Sequence, residues 1–395
     1  MLGKLLLVAT ALTGFEKCDS VILSSIADGN MPGAVLCVVQ GDSVVYEKAY
    51  GNKRVYPEAE PMSVETVFDL ASLSKCVGTT LSVMQLVEQG KIDLDAYADE
   101  YLPGFRPWTD STGTVSERIT VRQLMTHTSG LSPVANVRFL SRRLADNRPR
   151  RLRRHILTEL PRREQPGSKL IYSCPNFITL QYILESVTGE RLCDYAQKNV
   201  FDALGLHHTR YLPTDRRVPE EMLADIAPTE VLWRKTTDRQ QLAPFTRNGK
   251  VLLGQVHDPT ARRFNRGNSG NAGVFSNAGD LAVICAAIMN GGEYKGRRIL
   301  APETVELMCE PQEGCFGRTL GWDAKSPAAW IEGKEFAADR TICHTGYTGT
   351  SIVIDLDRKI AVILLANRVH PADEGGLGRT RAAVSSIVAE SLKND

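Results

Sequence analysis

Two stretches far apart in the chain carry the same pattern. "AVLCVVQGDSVVYEKAYG" (34–51) is a pair of strand-like apolar runs around a Gly41-Asp42 turn, and "GTSIVIDLDRKIAVILLAN" (349–367) repeats it with residues 355–359 as the turn region. Between these hairpins the apolar period becomes helical, as in "KCVGTTLSVMQLVEQG", "ITVRQLMTHTSG", "FITLQYILESVTG" and "AGDLAVICAAIMNGG". The segment 378–393 reads as a last amphipathic helix. Strands at both ends with helices between them predict a single α+β unit. An antiparallel sheet is built from both termini (about 30–52 and 340–395), and a mostly helical subdomain (about 72–320) is inserted into it. A groove between sheet and insert is a natural place for a ligand.

The rest of the composition mainly excludes. A formal net charge of +1 over 395 residues gives no global drive towards nucleic acid or anionic membranes. The arginine-rich segment 138–163 has one phenylalanine, Phe139, at its start and no Tyr or Trp among its arginines, so it reads as a solvated helix face rather than a polyanion patch. Residues 213–266 read as an irregular insertion shaping the substrate entrance. Nine cysteines lie scattered without any C-x-x-C, which speaks against a zinc or thioredoxin-type site and fits a reducing compartment. Residues 1–14, one lysine followed by an apolar run, read as a signal or anchor segment, yet no small-x-small cleavage site follows. The two signals leave a bacterial envelope or periplasm and a cytoplasm as competing locations.

Chemistry concentrates at "DLASLSKCVG" (69–78). A serine hydroxyl is a poor nucleophile until a base stands beside it. Residues three apart share a helix face, so Lys75 can reach back to Ser72. In a dry site its pKa would fall far enough to accept the serine proton. A serine at a helix start also has backbone N–H groups ready for developing negative charge. S-x-x-K occurs once in this chain, at the rate chance alone provides.

Further segments agree with it. "FDLASLSKCVGTT" (68–80), "PGSKLIYSCPNFITLQYILESVTGE" (166–190) and "CHTGYTGTSIVIDLDRKIAVILLANRVHP" (343–371), in that order, resemble the serine β-lactamase and penicillin-binding-protein superfamily, specifically its class C β-lactamase and esterase branch. "ITVRQLMTHTSGL", "NAGVFSNAGDLAVICAAIMNGG" and "LGWD" also look like its segments. The likeness runs from about residue 16 to the end and implies a β-lactamase/transpeptidase-like fold with 15–395 as a single catalytic domain. It also implies Ser72 as acylated nucleophile, Lys75 as its activating partner, and Tyr172 as proton shuttle with a phenol depressed by Lys75. By the same likeness His344, Thr345 and Gly346 line the site on an edge strand, with Gly346 admitting the substrate backbone. The backbone N–H groups of Ser72 and Tyr347 would form the oxyanion hole.

Two departures narrow the chemistry. Cys174 stands where the family has an asparagine that grips the substrate amide, and a thiol cannot reproduce an amide's paired contacts; Asn176 is the candidate replacement. His344 stands where the family has a lysine, and a neutral imidazole attracts a substrate carboxylate far less. The expected activity is hydrolysis of an ester or small amide through an acyl-enzyme on Ser72, without metal or cofactor and with a small-molecule or peptide substrate. Alternatives on the same machinery are a D-amino-acid peptidase or D,D-carboxypeptidase acting on cell-wall fragments, then a weak β-lactamase. From another class comes a non-catalytic penicillin-recognising binder or sensor. The α/β-hydrolase signature G-x-S-x-G does not occur, and neither nucleic acid nor a defined oligomer is implied.

Overall fold

The computed structural model describes residues 14–136, 140, 148–232, 250–324, 326, 329, 336 and 340–392. The segment read as signal or anchor therefore lies, apart from Gly14, outside the described residues. The hairpins from the two chain ends do meet. β1 (Gly33–Gln40), β2 (Ser43–Arg54) and β3 (Glu60–Pro61) form one six-stranded antiparallel sheet with β7 (Thr341–Thr345), β8 (Ser351–Asp355) and β9 (Ile360–Ala366), in the order β7-β8-β9-β1-β2-β3. The first strand of one hairpin pairs with the last strand of the other, Ala34 opposite Ala366 and Val38 opposite Val362.

Both faces of this sheet are covered, which is why β1 and β9 are continuous apolar runs rather than alternating ones. On one face Val35, Cys37, Ile363 and Leu365 join the core shared with the helical part of the molecule, including α7 (Ala278–Met289). On the other, Leu36, Val38, Val362 and Leu364 pack against Cys18 and Ile22 of α1 (Glu16–Ala27) and Val384 and Val388 of α8 (Gly378–Ser391).

A second, three-stranded sheet sets up the site. β6 (Val274–Ser276) pairs with both β4 (Phe68–Asp69) and β5 (Arg210–Tyr211). Beyond β4 the chain coils into a π-helical turn, Lys75–Thr80, that continues as α2 (Leu81–Glu88). Ser74 Oγ accepts the Val274 N–H at 3.0 Å, tying this turn to β6. A Cβ on Gly78 would stand 2.5 Å from the Tyr211 hydroxyl, so only glycine lets the turn sit on β5. Three other helices matter below: α3 (Val121–Met125), α4 (Arg148–Arg154) and α5 (Cys174–Thr188), with α6 (Pro259–Phe264) following later in the chain. The irregular stretch 213–266 contains α6 and lies partly outside the described residues. All nine cysteines are free thiols. No helix among the described residues is long and apolar enough to cross a membrane.

Candidate active site

Ser72 stands where extended chain gives way to helix. The buried Asp69 carboxylate at the end of β4 accepts the Ala71 N–H at 2.9 Å and the His257 N–H at 2.6 Å. Burial raises its pKa, while those two N–H bonds oppose the shift. Ala71 is held at φ 47°, in the left-handed region, and the chain turns sharply there into Ser72. The reach expected from the three-residue spacing is realised. Lys75 is fully buried, and its Nζ donates to Ser72 Oγ at 2.9 Å and to the Asn271 carbonyl at 3.0 Å. Cys174 Sγ lies 3.7 Å from the same nitrogen.

Tyr172 arrives from the segment ahead of α5. His127, itself at φ 62°, fixes this segment: its carbonyl accepts the Ile171 N–H at 2.9 Å and its Nδ1 accepts the Ser173 N–H at 3.1 Å. The His127 and Tyr172 rings pack with centroids 4.3 Å apart, and Lys75 Nζ lies 5.0 Å from the Tyr172 ring. One side of the tyrosine stays open, leaving the residue 40% exposed, while its hydroxyl end is buried and faces Lys75 and Ser72.

The charge state differs from the sequence expectation. Burial disfavours the Lys75 ammonium, but negative charge available at Cys174 and Tyr172 outweighs it and holds the Lys75 pKa above its usual value. Burial likewise holds the Tyr172 phenol above its usual value, more strongly than the Lys75 cation lowers it. The resting pair is thus an ammonium beside a neutral phenol, not a neutral amine or a depressed phenol. The reason is that both groups share one dry space: burial keeps the phenol protonated, and the ammonium is held by Ser72 Oγ and the Asn271 carbonyl.

The far wall comes from the β7–β8 connection. Thr348 Oγ1 donates to the Asp69 carbonyl at 2.7 Å and Thr350 Oγ1 to the Leu70 carbonyl at 3.0 Å, so this turn is stitched to the residues just ahead of Ser72. Arg381 from α8 donates to the carbonyls of Gly346 and Thr350 at 3.1 and 3.0 Å. Among the described residues, the backbone N–H groups of Ser72 and Tyr347 meet no acceptor. The Tyr347 ring is stacked on His257 with centroids 5.7 Å apart, and its hydroxyl donates to Asp373.

Gly346 has a different reason for being glycine than the one read from the sequence. A Cβ there would meet the Leu70 carbonyl at 2.3 Å and Thr350 Oγ1 at 2.1 Å, so the close approach is made by the protein's own chain. Asn176 is likewise corrected as a substrate contact. It is fully buried, its Oδ1 accepts from Ser129 Oγ at 2.6 Å, and its Nδ2 faces His127 Nδ1 at 3.2 Å. Cys174 and Thr345 are half-buried at the rim of the site.

His344 is 5% exposed, with Nδ1 2.9 Å from the Thr345 carbonyl and its ring 5.9 Å from that of Tyr172. A carbonyl only accepts, so Nδ1 carries the proton and the buried Nε2 presents a bare lone pair. Burial, followed by the Arg318 and Lys75 cations, keeps this imidazole neutral well below its usual pKa. Burial and the same two cations do so for His127 as well.

Sequence reasoning missed Asn271, whose carbonyl anchors Lys75, and Arg318, which is buried behind the site on Asp323 at 2.8 Å. Asn271 contributes through its backbone, so its side-chain identity carries no signal. Arg318 lies two residues before the "LGWD" segment, which was visible as a motif but not as a source of charge. No group of three or more metal-ligating side chains occurs among the described residues.

A serine and a lysine in hydrogen-bond contact, a tyrosine facing both, and two open backbone donors, one at Ser72 and one in the β7–β8 turn, are the arrangement of an active-serine acyl hydrolase. The chain belongs to the family described as Beta-lactamase, whose profile matches residues 18–386, and it is a serine hydrolase of that fold. It is 32% identical over 366 residues to an N-acetylmuramyl-L-alanine amidase of Bacillus subtilis (strain 168), covering 90% of this chain and 81% of the relative. It is 31% identical over 360 residues to a putative D-alanyl-D-alanine carboxypeptidase of Escherichia coli (strain K12), covering 88% and 81%. Among solved structures the fold is shared with EstCE1, a hydrolase with promiscuous acyltransferase activity, at a TM-score of 0.71, 22% identity and coverage of 98% and 99%. A class C β-lactamase from Rhodobacter sphaeroides matches at a TM-score of 0.67, 21% identity and coverage of 94% and 98%.

Proposed function

We propose that the protein hydrolyses a carboxylic ester or a small amide through an acyl-enzyme on Ser72. The observation that carries this is the 2.9 Å contact between Lys75 Nζ and Ser72 Oγ, set beneath the open N–H groups of Ser72 and Tyr347. Loss of one proton from the Lys75–Tyr172 pair arms the site. The pair then takes the Ser72 proton as Oγ bonds to the substrate carbonyl carbon, and the oxyanion is received by the two backbone donors. Tyr172, open on one side, hands the proton to the departing alcohol or amine as the old bond breaks. A water then attacks the ester on Ser72, the pair accepts the water's proton, and Ser72 leaves with a proton restored.

A second reading on the same machinery is a peptidase acting on cell-wall fragments. It is supported by the two relatives, named as an amidase and a putative D-alanyl-D-alanine carboxypeptidase, each similar over most of this chain. The neutral His344 wall speaks for uncharged or amide-centred substrates over those selected by a carboxylate.

One panel tests both readings: short-chain p-nitrophenyl esters, D-alanyl p-nitroanilide, a D-alanyl-D-alanine peptide and a chromogenic cephalosporin, with a fluorescent penicillin or phosphonate as label. Ester turnover above peptide turnover supports the first reading, and the reverse order the second. Labelling of Ser72 with no turnover of any substrate leaves a sensor. Absence of both overturns the nucleophile.

A further inference from the structure

Away from Ser72, a cavity of about 830 Å³ opens between α4, α6 and the chain around residues 212–218. None of the residues around Ser72 lines it. Its volume suits a small organic molecule. Six arginines from separate parts of the sequence converge on it: Arg148 from α4, Arg216 and Arg217 from the loop after β5, Arg262 and Arg263 from α6, and Arg266 just beyond. Among the described residues the lining holds one carboxylate, Glu220, already paired with Arg217. Arg216 is engaged by Asp194 at 2.6 Å, and Arg262 is turned onto the Val256 and His257 carbonyls at 2.5 and 2.7 Å. Arg148 and Arg266 meet no carboxylate among the described residues.

Clustering like charges in a concave, partly dry space works against folding unless something offsets it. The strain is visible at Arg263, whose pKa is lowered by burial and then by the neighbouring Arg148 and Arg262 cations. Guanidinium forks match phosphate oxygens in pairs, and several forks around one cavity suit an anion of more than one charge. The remaining wall is aliphatic, with Leu212, Val218, Leu223 and Leu253. Among the described residues no aromatic side chain lines the cavity, which gives single-stranded nucleic acid no stacking platform there.

We propose that this cavity is a second binding site, separate from the catalytic centre, for a small organic phosphate or pyrophosphate whose apolar part rests on the aliphatic wall. The phosphate oxygens face Arg148 and Arg266, while Arg262 holds the wall. This also revises the reading of the arginine-rich segment as a merely solvated helix face, since one of its arginines is turned into a cavity.

The test is isothermal titration of the full chain with sodium pyrophosphate at fixed ionic strength, beside citrate and a single-stranded oligoribonucleotide, repeated on R148Q, R266Q and the double variant. Unchanged ester turnover reports that each variant is folded. Each lost charge-assisted contact should weaken pyrophosphate binding about tenfold or more, and the double variant about a hundredfold. Wild-type affinity should also fall as sodium chloride is raised, a readout that needs no variant. Saturable pyrophosphate binding that the variants weaken, with citrate at least about tenfold poorer, supports the site. Absence of saturable pyrophosphate binding, equal binding by the double variant, citrate bound as well as pyrophosphate, or the oligoribonucleotide bound more tightly than either would each overturn it.

Discussion

Replacing Tyr172 by phenylalanine separates the proposed chemistry from packing, because the structure shows what each half of the side chain does. The ring packs on His127 at 4.3 Å and flanks Lys75 Nζ at 5.0 Å, contacts that phenylalanine keeps. The hydroxyl faces Ser72 and Lys75, and Lys75 retains Ser72 Oγ and the Asn271 carbonyl without it. Stability should therefore change by no more than about 1 kcal/mol, the net worth of one modest hydrogen bond. Losing the acid–base partner should cost about two to four orders of magnitude in kcat, or about 3–5 kcal/mol of transition-state stabilisation. The assay is stopped-flow hydrolysis of p-nitrophenyl acetate, with the burst reporting acylation and the steady state deacylation. Thermal unfolding of the same samples serves as the control. A fall in kcat of less than about threefold would refute the shuttle assignment. So would a fall matched by a comparable loss of stability.

The resting charge state sets the pH dependence. Burial raises Tyr172, and the negative charge that raises Lys75 belongs to Tyr172 and Cys174, so the first proton leaves the pair only above the neutral range. The armed form is the deprotonated one; wild-type kcat/KM should climb with pH through neutrality, about tenfold per unit while the pair stays mostly protonated, and a profile flat from about pH 7 to 9 would contradict this. Ser72→Ala should abolish covalent labelling by a fluorescent penicillin, read by mass spectrometry, with its unfolding transition retained. Gly346→Ala places a Cβ 2.3 Å from the Leu70 carbonyl; the displaced turn should cost about 1–3 kcal/mol and lower kcat by moving the Tyr347 N–H, as denaturant titration and ester turnover would show. His344→Lys should speed acylation by benzylpenicillin relative to a neutral ester, since it adds a cation facing the substrate carboxylate; an unchanged ratio would remove β7 as the carboxylate-facing wall.

The fold was legible because its signals are local and redundant. The Gly41-Asp42 turn and the uniformly apolar β9 announce strands whatever surrounds them, and their positions at the two chain ends leave one compact way to pair them. The Ser72–Lys75 contact was legible for the same reason, being set by helical spacing alone. What escaped depends on distance through space. That Lys75 is anchored by the Asn271 carbonyl, 196 positions away, leaves no mark on side-chain identities. Asn176 looked available because it follows Cys174 by two residues, yet α5 turns it inward onto Ser129 and His127. The titration directions reversed because they depend on which charges share a dry space, and a linear string does not say that Cys174 and Tyr172 both stand beside Lys75. Gly346 could be read as a place of close approach, but not what approaches it.

Pairing β1 with β9 has a consequence for how the molecule is made. As the chain leaves the ribosome, the apolar first hairpin emerges more than 300 residues before the strand that must flank it, Ala34 waiting for Ala366. Until then one edge of β1 is exposed, a template for the wrong neighbour and a natural client for a chaperone. Closure of the central sheet is therefore a late, long-range and slow event. A nonsense codon around residue 355 would remove β9, leaving the N-terminal hairpin and the first hairpin of the C-terminal half with no strand to join them.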